Sequence, residues 1–312
     1  MKCNCNQSCI EKKDELLRTV KKKYQPCSDC NKKILKKSIP LRNQLIIEQL
    51  DKNTQKCPKC GKRHIDIVMA HALKILMEEK QLPSSSSIRK TGTPLITPAA
   101  YQEYMPYLSE KTLVLIISNV NKKTAQRMTD EIPEIKAIIK GNIQNTIGIM
   151  DEKTDKHEYE LLSGCDIRCD IQNTDVGEIA IYKNQSKIHI EYPKKESPKI
   201  TQLKQVLEGY DSPAVIDAMC GPGTLGIYAI KKNAKKVLFN DINEHSIDAL
   251  KTNLKINEIN ENKYGITNKN LLELEKTIHE KYDIALIDAF PGINTSEYTE
   301  SLKKISKEVI II

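Results

Sequence analysis

From residue 214 onward, short apolar runs alternate with amphipathic stretches. AVIDAM (214–219), KKVLFND (235–241), YGITN (264–268), DIALIDAF (283–290) and EVIII (308–312) read as strands. The stretches 224–233, 245–257, 270–280 and 296–305 read as the helices between them. Strands joined through helices predict a parallel, doubly wound α/β sheet of the Rossmann-like kind. A helix at 200–209 precedes it. Upstream the pattern is less regular. Residues 112–118 (TLVLIIS) predict a buried strand, 122–139 a helix and 146–150 (TIGIM) a returning strand. GEIAIY (177–182) and KIHIEY (187–192) alternate about KNQS and read as a β-hairpin.

The first third is helical in pattern and basic. Residues 10–24 carry the stripe Leu16, Leu17 and Val20, residues 32–50 read as two helical pieces broken by Pro40, and 65–80 form a strong amphipathic helix. PSSSS (83–87) has linker composition. These features suggest a Cys-rich module at 1–82, a linker at 83–99, a small middle α/β or α+β domain at 100–199 and a final domain at 200–312.

Charge sharpens this division. Of 49 Lys/Arg and 41 Asp/Glu, residues 1–90 hold 21 and 9. The excess positive charge therefore lies wholly in the first third, as expected of a docking arm for a polyanion such as RNA. A lysine-rich solvated surface is the plainer reading. No apolar run is long enough to span a membrane, and the first residues lack a signal-peptide core. A cytoplasmic location is expected, so the ten cysteines read as metal ligands or free thiols rather than a disulfide scaffold.

Cys27-x2-Cys30 and Cys57-x2-Cys60 form two CxxC pairs, the second within CPKCGK. Four thiolates suit structural Zn²⁺. An iron–sulfur cluster and unmetallated thiols are the alternatives. Cys3, Cys5 and Cys9 form a tighter group that could take His64 or His71 as a fourth ligand. Cys165 and Cys169 flank an expected strand and are too few for a site alone.

The strongest chemical signal is VIDAMCGPGTLG. Gly221, Gly223 and Gly226 spell G-x-G-x-x-G between a strand and a helix, and Asp241 follows Gly221 by 20 residues. Such glycines let the backbone approach a ligand, and a carboxylate after the second strand can hold ribose hydroxyls. Asp217, just before the loop, disfavours a pyrophosphate and suits a cationic ligand. An NAD-dependent enzyme is thereby a distant alternative.

VIDAMCGPGTLGI, followed by VLFNDINEHSIDALKTNLKIN, resembles motifs I and II of class I S-adenosylmethionine-dependent methyltransferases. DIALIDAFPG resembles their motif IV. The resemblance covers roughly 200–312, and NDIN with NLKIN is most similar to archaeal-type tRNA guanine methyltransferases. It implies that Asp217, Gly221 and Gly223 bound the methionine part of S-adenosylmethionine, that Asp241 binds the ribose and that Ile242 packs on the adenine. Asn268 or Asn270 stands where the family contacts the adenine amine, usually with Asp. Asp288 would orient or deprotonate an amine nucleophile and Phe290 would stack on a base, followed by Pro291; a core aromatic is the alternative for Phe290. The pattern stops after the fifth strand, where the family usually adds a hairpin. An edge strand there invites pairing, so a homodimer is one arrangement the pattern allows.

The expectation is a methyltransferase acting on RNA, either a tRNA or an rRNA base. The alternatives are a methyltransferase for a small-molecule cofactor precursor or a protein, and a non-catalytic nucleotide- or RNA-binding scaffold.

Overall fold

The computed structural model describes the chain apart from residues 2, 4, 6, 7, 32, 33, 145–149, 152–155, 158 and 291, and the side chains of 150, 151, 156 and 157. It separates into two compact units, residues 2–168 and residues 169–312, with Met1 assigned to the second. This partition differs from the three modules and linker that composition suggests.

In the first unit, α1 (Lys13–Tyr24) buries Leu16, Val20 and Tyr24 and leaves Lys21 and Lys22 exposed. The two helices expected over 32–50 are absent among the described residues. Single 3-10 turns form instead at Leu41–Asn43 and Ile47–Gln49. The Gln44 amide donates to the carbonyls of Lys36 and Ile39 and accepts from the Lys36 N–H. It satisfies backbone groups that a helix would otherwise pair. The two-residue strand β1 (Arg63–His64) leads into α2 (Ile65–Glu78), most of which is buried.

The serine-rich stretch is part of the fold rather than a free linker. Ser86 is buried, its carbonyl accepts from the Leu41 N–H, and Ser87 bridges Pro40. A 3-10 turn at Ile88–Lys90 and strand β2 (Thr93–Ile96) follow directly. Strand β3 (Tyr107–Leu108) pairs with β1. Strand β4 (Leu113–Ile117), α3 (Lys122–Glu131) and β5 (Ile135–Lys140) form a parallel crossover. The helix expected to reach 139 stops at Glu131 because Pro133 cannot extend it. The IKAII run that follows is a sheet strand, rich in β-branched residues that suit a pleated surface. The returning strand expected at 146–150 falls on residues outside those described, except Met150. Short strands β6 (Met150–Asp151) and β7 (Lys156–His157) pair with each other. Strand β8 (Glu160–Gly164) completes a four-stranded sheet of order β2-β4-β5-β8.

A buried ion pair joins the Cys-rich stretch to this sheet. Arg63 Nε and Nη2 meet the two carboxylate oxygens of Glu134 at 2.7 and 2.5 Å, and Nη1 donates to the Asp51 carbonyl at 2.8 Å. Both side chains are almost wholly buried. Removing one partner strands the other charge, so Glu134→Ala should destabilise this unit by about 3–5 kcal/mol in denaturant unfolding.

Strand β9 (Ile167–Gln172) pairs with β10 (Ile179–Asn184). The hairpin therefore lies one strand earlier than the sequence suggests, and 187–192 forms no strand. The cause is local. Lys183, fully buried, sits 2.9 Å from Asp170 and donates to the His189 carbonyl. The Lys187 and Ile188 amides both donate back to Asn184, curling the chain off the sheet.

The second unit continues with α4 (Pro198–Leu207), β11 (Ala214–Asp217), α5 (Thr224–Lys232), β12 (Lys236–Asn240), α6 (Glu244–Ile256), β13 (Tyr264–Thr267), β14 (Tyr282–Ile287), α7 (Ser296–Lys303) and β15 (Ser306–Ile311). The helix expected at 270–280 is a 3-10 turn, Leu271–Lys276. The five strands β11–β15 pair in parallel in the order β13-β12-β11-β14-β15. This is the doubly wound sheet that the alternation predicts. Two apolar clusters pack with this sheet, one around Phe239, Leu250 and Ile284 and the other around Ile216, Leu274 and Leu302. Among the described residues, no helix is long and apolar enough to cross a membrane.

Candidate active site

The strand order reverses beside β11, with β12 on one side and β14 on the other. In such sheets, ligands bind beyond the carboxyl ends of the strands at this switch point. The glycine loop lies there. Gly221 (φ +52°) and Gly223 (φ +97°) occupy the left-handed region, where a Cβ is disfavoured. A Cβ at Gly223 would meet Leu250 at 2.4 Å, and one at Gly226 would meet the Phe239 ring at 2.1 Å. These two glycines let α5 close onto its neighbours. Gly221 differs, because a Cβ there would meet nothing within 4 Å. Its conformation needs glycine, while the space beside it is open.

Asp217 ends β11 and is fully buried. Its Oδ2 accepts from the Gly226 N–H at 2.8 Å, whereas Oδ1 is buried without a hydrogen-bond partner. Burial pushes its carboxyl up to about 7; the Gly226 N–H opposes this, and the charges of Asp288 and Asp241 add to it. The switch point thus holds three carboxylates close enough to feel one another. An acidic mouth favours a cationic ligand over a pyrophosphate.

Asp241 follows β12. One carboxylate oxygen accepts from the Gly221 N–H at 2.7 Å and the other from the Asn243 N–H at 2.8 Å. Burial raises its pKa, and those two N–H groups oppose the rise. Asp241 therefore braces the glycine loop while keeping further lone pairs for hydroxyl donors. Beside it, Ile242 is 70% exposed, unusual for so large an apolar side chain. Asn268 Nδ2 donates to the carbonyls of Asp241 and Ile242. Asn270 instead caps the following 3-10 turn, its Oδ1 accepting from the Leu272 N–H. Asn268 and Asn270 thus have different structural tasks, and the expected adenine contact, Asn270, is engaged as a cap.

Two further asparagines shape the loop. Asn240 donates to the carbonyls of Ala218 and Lys269. Asn253 on α6 donates to the carbonyl of Pro222 inside the loop and exchanges two hydrogen bonds with the Tyr182 backbone. With Asn257, which does the same at Ala180, it presents side-chain amides to β10. Asn253 and Asn257 belong to the NLKIN stretch, but a buried amide ladder leaves no periodicity in sequence.

On the other side of the loop, Asp288 follows β14 and lies 2.7 Å from Lys199 Nζ, which is 3.6 Å from Glu191. Burial raises the Asp288 pKa and Lys199 opposes it. Phe290 is 36% exposed and meets the His189 ring edge-on, centroids 5.4 Å apart. Burial, then the nearby Lys183, lowers the His189 pKa, so its neutral form is favoured. Pro291 lies outside the described residues. His189 and Glu191 lie in 187–192, whose alternation suggests a hairpin strand, and Lys199 lies just before the expected helix at 200–209, so none of the three carries a site signal in the sequence.

The first unit holds two groups of thiols. Cys27, Cys30, Cys57 and Cys60 have sulfurs within 4.8 Å of one another, with neighbouring pairs 3.5–3.7 Å apart. Sulfurs about 2.3 Å from a tetrahedral centre would lie about 3.8 Å apart, close to this spacing. Gly61, at φ +71°, allows the tight turn in which its N–H donates to the Cys57 carbonyl. Backbone N–H groups of Cys60 and Lys59 help to lower the Cys57 thiol to about 6. Buried Tyr107 packs on the group. The second group comprises Cys3, Cys5, Cys9 and Cys165. Neither histidine considered from sequence joins it. His64 is occupied as the α2 cap, accepting from the Asp66 N–H, and His71 lies against Arg63.

Residues 199–290 match the family model described as ribosomal protein L11 methyltransferase (PrmA). A ribosomal protein L11 methyltransferase from Agathobacter rectalis is 35% identical over 99 residues, 30% of this chain and 31% of that protein. The chain thus spans about a third of the length of the curated relative it matches. Among solved structures, a complex of aTrm5 with tRNALeu is 16% identical, with a TM-score of 0.45, covering 75% of this chain and 62% of that one. Methanocaldococcus jannaschii Trm5 in complex with adenosine is 17% identical, with a TM-score of 0.42, covering 78% and 62%. The matched segment contains the glycine loop, Asp217, Asp241 and Asp288 on a sheet of doubly wound order. Residues 199–290 thus match a methyltransferase family model and lie largely on a parallel sheet of doubly wound order.

Proposed function

We propose that the chain is an S-adenosylmethionine-dependent methyltransferase acting on RNA, with a zinc-stabilised basic unit contributing to polyanion binding. The observation that carries this reading is the buried, unpartnered Oδ1 of Asp217 beside an open glycine loop. A cationic amine is the donor such an atom lacks, and the amino acid end of S-adenosylmethionine provides one. Asp241 would accept from the ribose hydroxyls. Ile242 would cover the adenine, with Asn268 or Asn270 at its edge.

S-adenosylmethionine, when bound, supplies a methyl group already activated by its sulfonium. The protein's own contribution is mainly alignment. Asp288, held by Lys199, would accept a hydrogen bond or proton from an amine nucleophile. Phe290, exposed and braced by His189, would stack on a base. The four thiols at Cys27, Cys30, Cys57 and Cys60 fit one Zn²⁺ ion. We take the compartment to be the cytoplasm, where such thiols stay reduced.

RNA is favoured by the concentration of positive charge in residues 1–90. If this charge contacts phosphate, RNA affinity should fall about 10³-fold between 50 and 200 mM salt for about six contacts. Replacing exposed Lys21 and Lys22 by glutamine should reduce the salt slope by about two if both touch phosphate. A protein substrate is the second reading, favoured by the name of the matched family. Labelled methyl transferred from S-adenosylmethionine into cell extract separates them. Label destroyed by RNase supports RNA, and label destroyed only by protease overturns it in favour of protein.

A further inference from the structure

We propose that Cys3, Cys5, Cys9 and Cys165 form a second tetrathiolate zinc site, separate from that of the paired CxxC motifs. Cys3 and Cys5 sulfurs are 2.8 Å apart, Cys5 and Cys9 3.2 Å, Cys3 and Cys165 3.5 Å, and Cys9 and Cys165 3.7 Å. All four sulfurs lie within 4.8 Å of one another. The fourth ligand comes from more than 150 residues downstream in sequence. Three cysteines in seven residues converging on one distant cysteine is the arrangement of a metal site rather than of ordinary core packing.

The Cys165 position is built. Gly164 adopts φ +80°, and a Cβ there would lie 2.1 Å from the Lys136 carbonyl, so only glycine fits at the end of β8. The Cys165 N–H then donates to that same carbonyl at 3.0 Å. Cys165 is buried, whereas Cys3, Cys5 and Cys9 are half-buried. The Lys136 side chain hydrogen-bonds Cys9, placing a positive charge beside a site that would carry two net negative charges as Zn²⁺ with four thiolates.

Size selects a single ion. An iron–sulfur cube needs room for four irons and four sulfides between its thiolates. Sulfurs this close leave room for one ion. A soft, tetrahedral, all-thiolate set selects zinc among the common divalent ions. The bound ion would clip Cys3, Cys5 and Cys9 to the end of β8, independently of methyl transfer.

The test is the zinc content per full-length chain, measured for the wild type, Cys5→Ser and Cys165→Ser. Cys5 lies on the N-terminal tail, outside the apolar clusters, so Cys5→Ser keeps the test open if Cys165→Ser fails to fold. Each variant should lose one equivalent of zinc, and Cys57→Ser should lose a different one. In cobalt-substituted protein, the thiolate-to-metal absorption should fall by half in Cys5→Ser. Zinc content unchanged in folded Cys5→Ser and Cys165→Ser would overturn the proposal. So would iron at this site, visible as intense absorption that Cys5→Ser abolishes.

Discussion

Asp217→Asn is expected to abolish S-adenosylmethionine binding while making the ligand-free protein more stable. The two effects have one cause. Asp217 is fully buried, and its carboxyl rises from 3.8 to about 7 because burial disfavours the charge. A carboxyl raised in this way contributes stability that is fully present below about pH 4. That contribution is lost as pH rises through about 7. Above pH 7 the buried charge opposes folding by up to about 4 kcal/mol, roughly three pKa units. Asparagine keeps an oxygen for the Gly226 N–H and removes the charge. Denaturant unfolding should therefore show the variant gaining most stability at pH 8.5, less at pH 5 and little below about pH 4. Calorimetric titration should show at least a hundredfold loss of affinity, because a neutral amide cannot balance the ligand's charge. For the wild type, affinity should rise as pH increases through about 7, when the carboxylate forms. If the variant bound as tightly as the wild type, the role assigned to Asp217 would be wrong.

Removal of the zinc proposed at Cys27, Cys30, Cys57 and Cys60 is expected to have the other large effect. Arg63 and His64 follow Cys60 within a few residues, and β1 pairs with β3, so the thiol group anchors the start of the path into α2. The unit has its own apolar cluster around Leu41, Leu50, Ile67 and Leu73, so it should not unfold completely, as isolated zinc fingers do. Loss of about 4–5 kcal/mol corresponds to a fall in Tm of about 10–20 °C for a unit of this size. A strong chelator, or Cys57→Ala, should produce that fall in calorimetric scans, and added zinc should reverse the chelator's effect. An unchanged Tm after exhaustive chelation would exclude a stabilising metal there.

The parallel sheet was legible because its strands are short apolar runs spaced by helices, and the glycine loop because its turn needs glycine whatever lies around it. Asp217 and Asp241 could be named for the same reason, as both are fixed by their places after strands. What stayed hidden depends on contacts distant in sequence. Lys183 and Asp170 form a buried pair that moves the hairpin to β9–β10, and 187–192 looks like a good strand without it. That shift brings Lys199 and Glu191 to Asp288, and His189 to Phe290. Cys165 could not be assigned from spacing, because its partners lie near the N-terminus. Gln44 satisfies the backbone of a stretch whose periodicity favours helix. Asn253 and Asn257 hydrogen-bond to β10, a task that propensity does not encode. Pro133 is the exception: its helix-stopping effect was available in the sequence, and the apolar IKAII run after it obscured the signal.

The most direct test of the account is calorimetric titration of the full-length protein with S-adenosylmethionine and, in parallel, with NAD. The acidic mouth formed by Asp217, Asp241 and Asp288 predicts one equivalent of S-adenosylmethionine bound in the micromolar range and no measurable binding of NAD. Binding of NAD without S-adenosylmethionine, or of neither, would contradict the account.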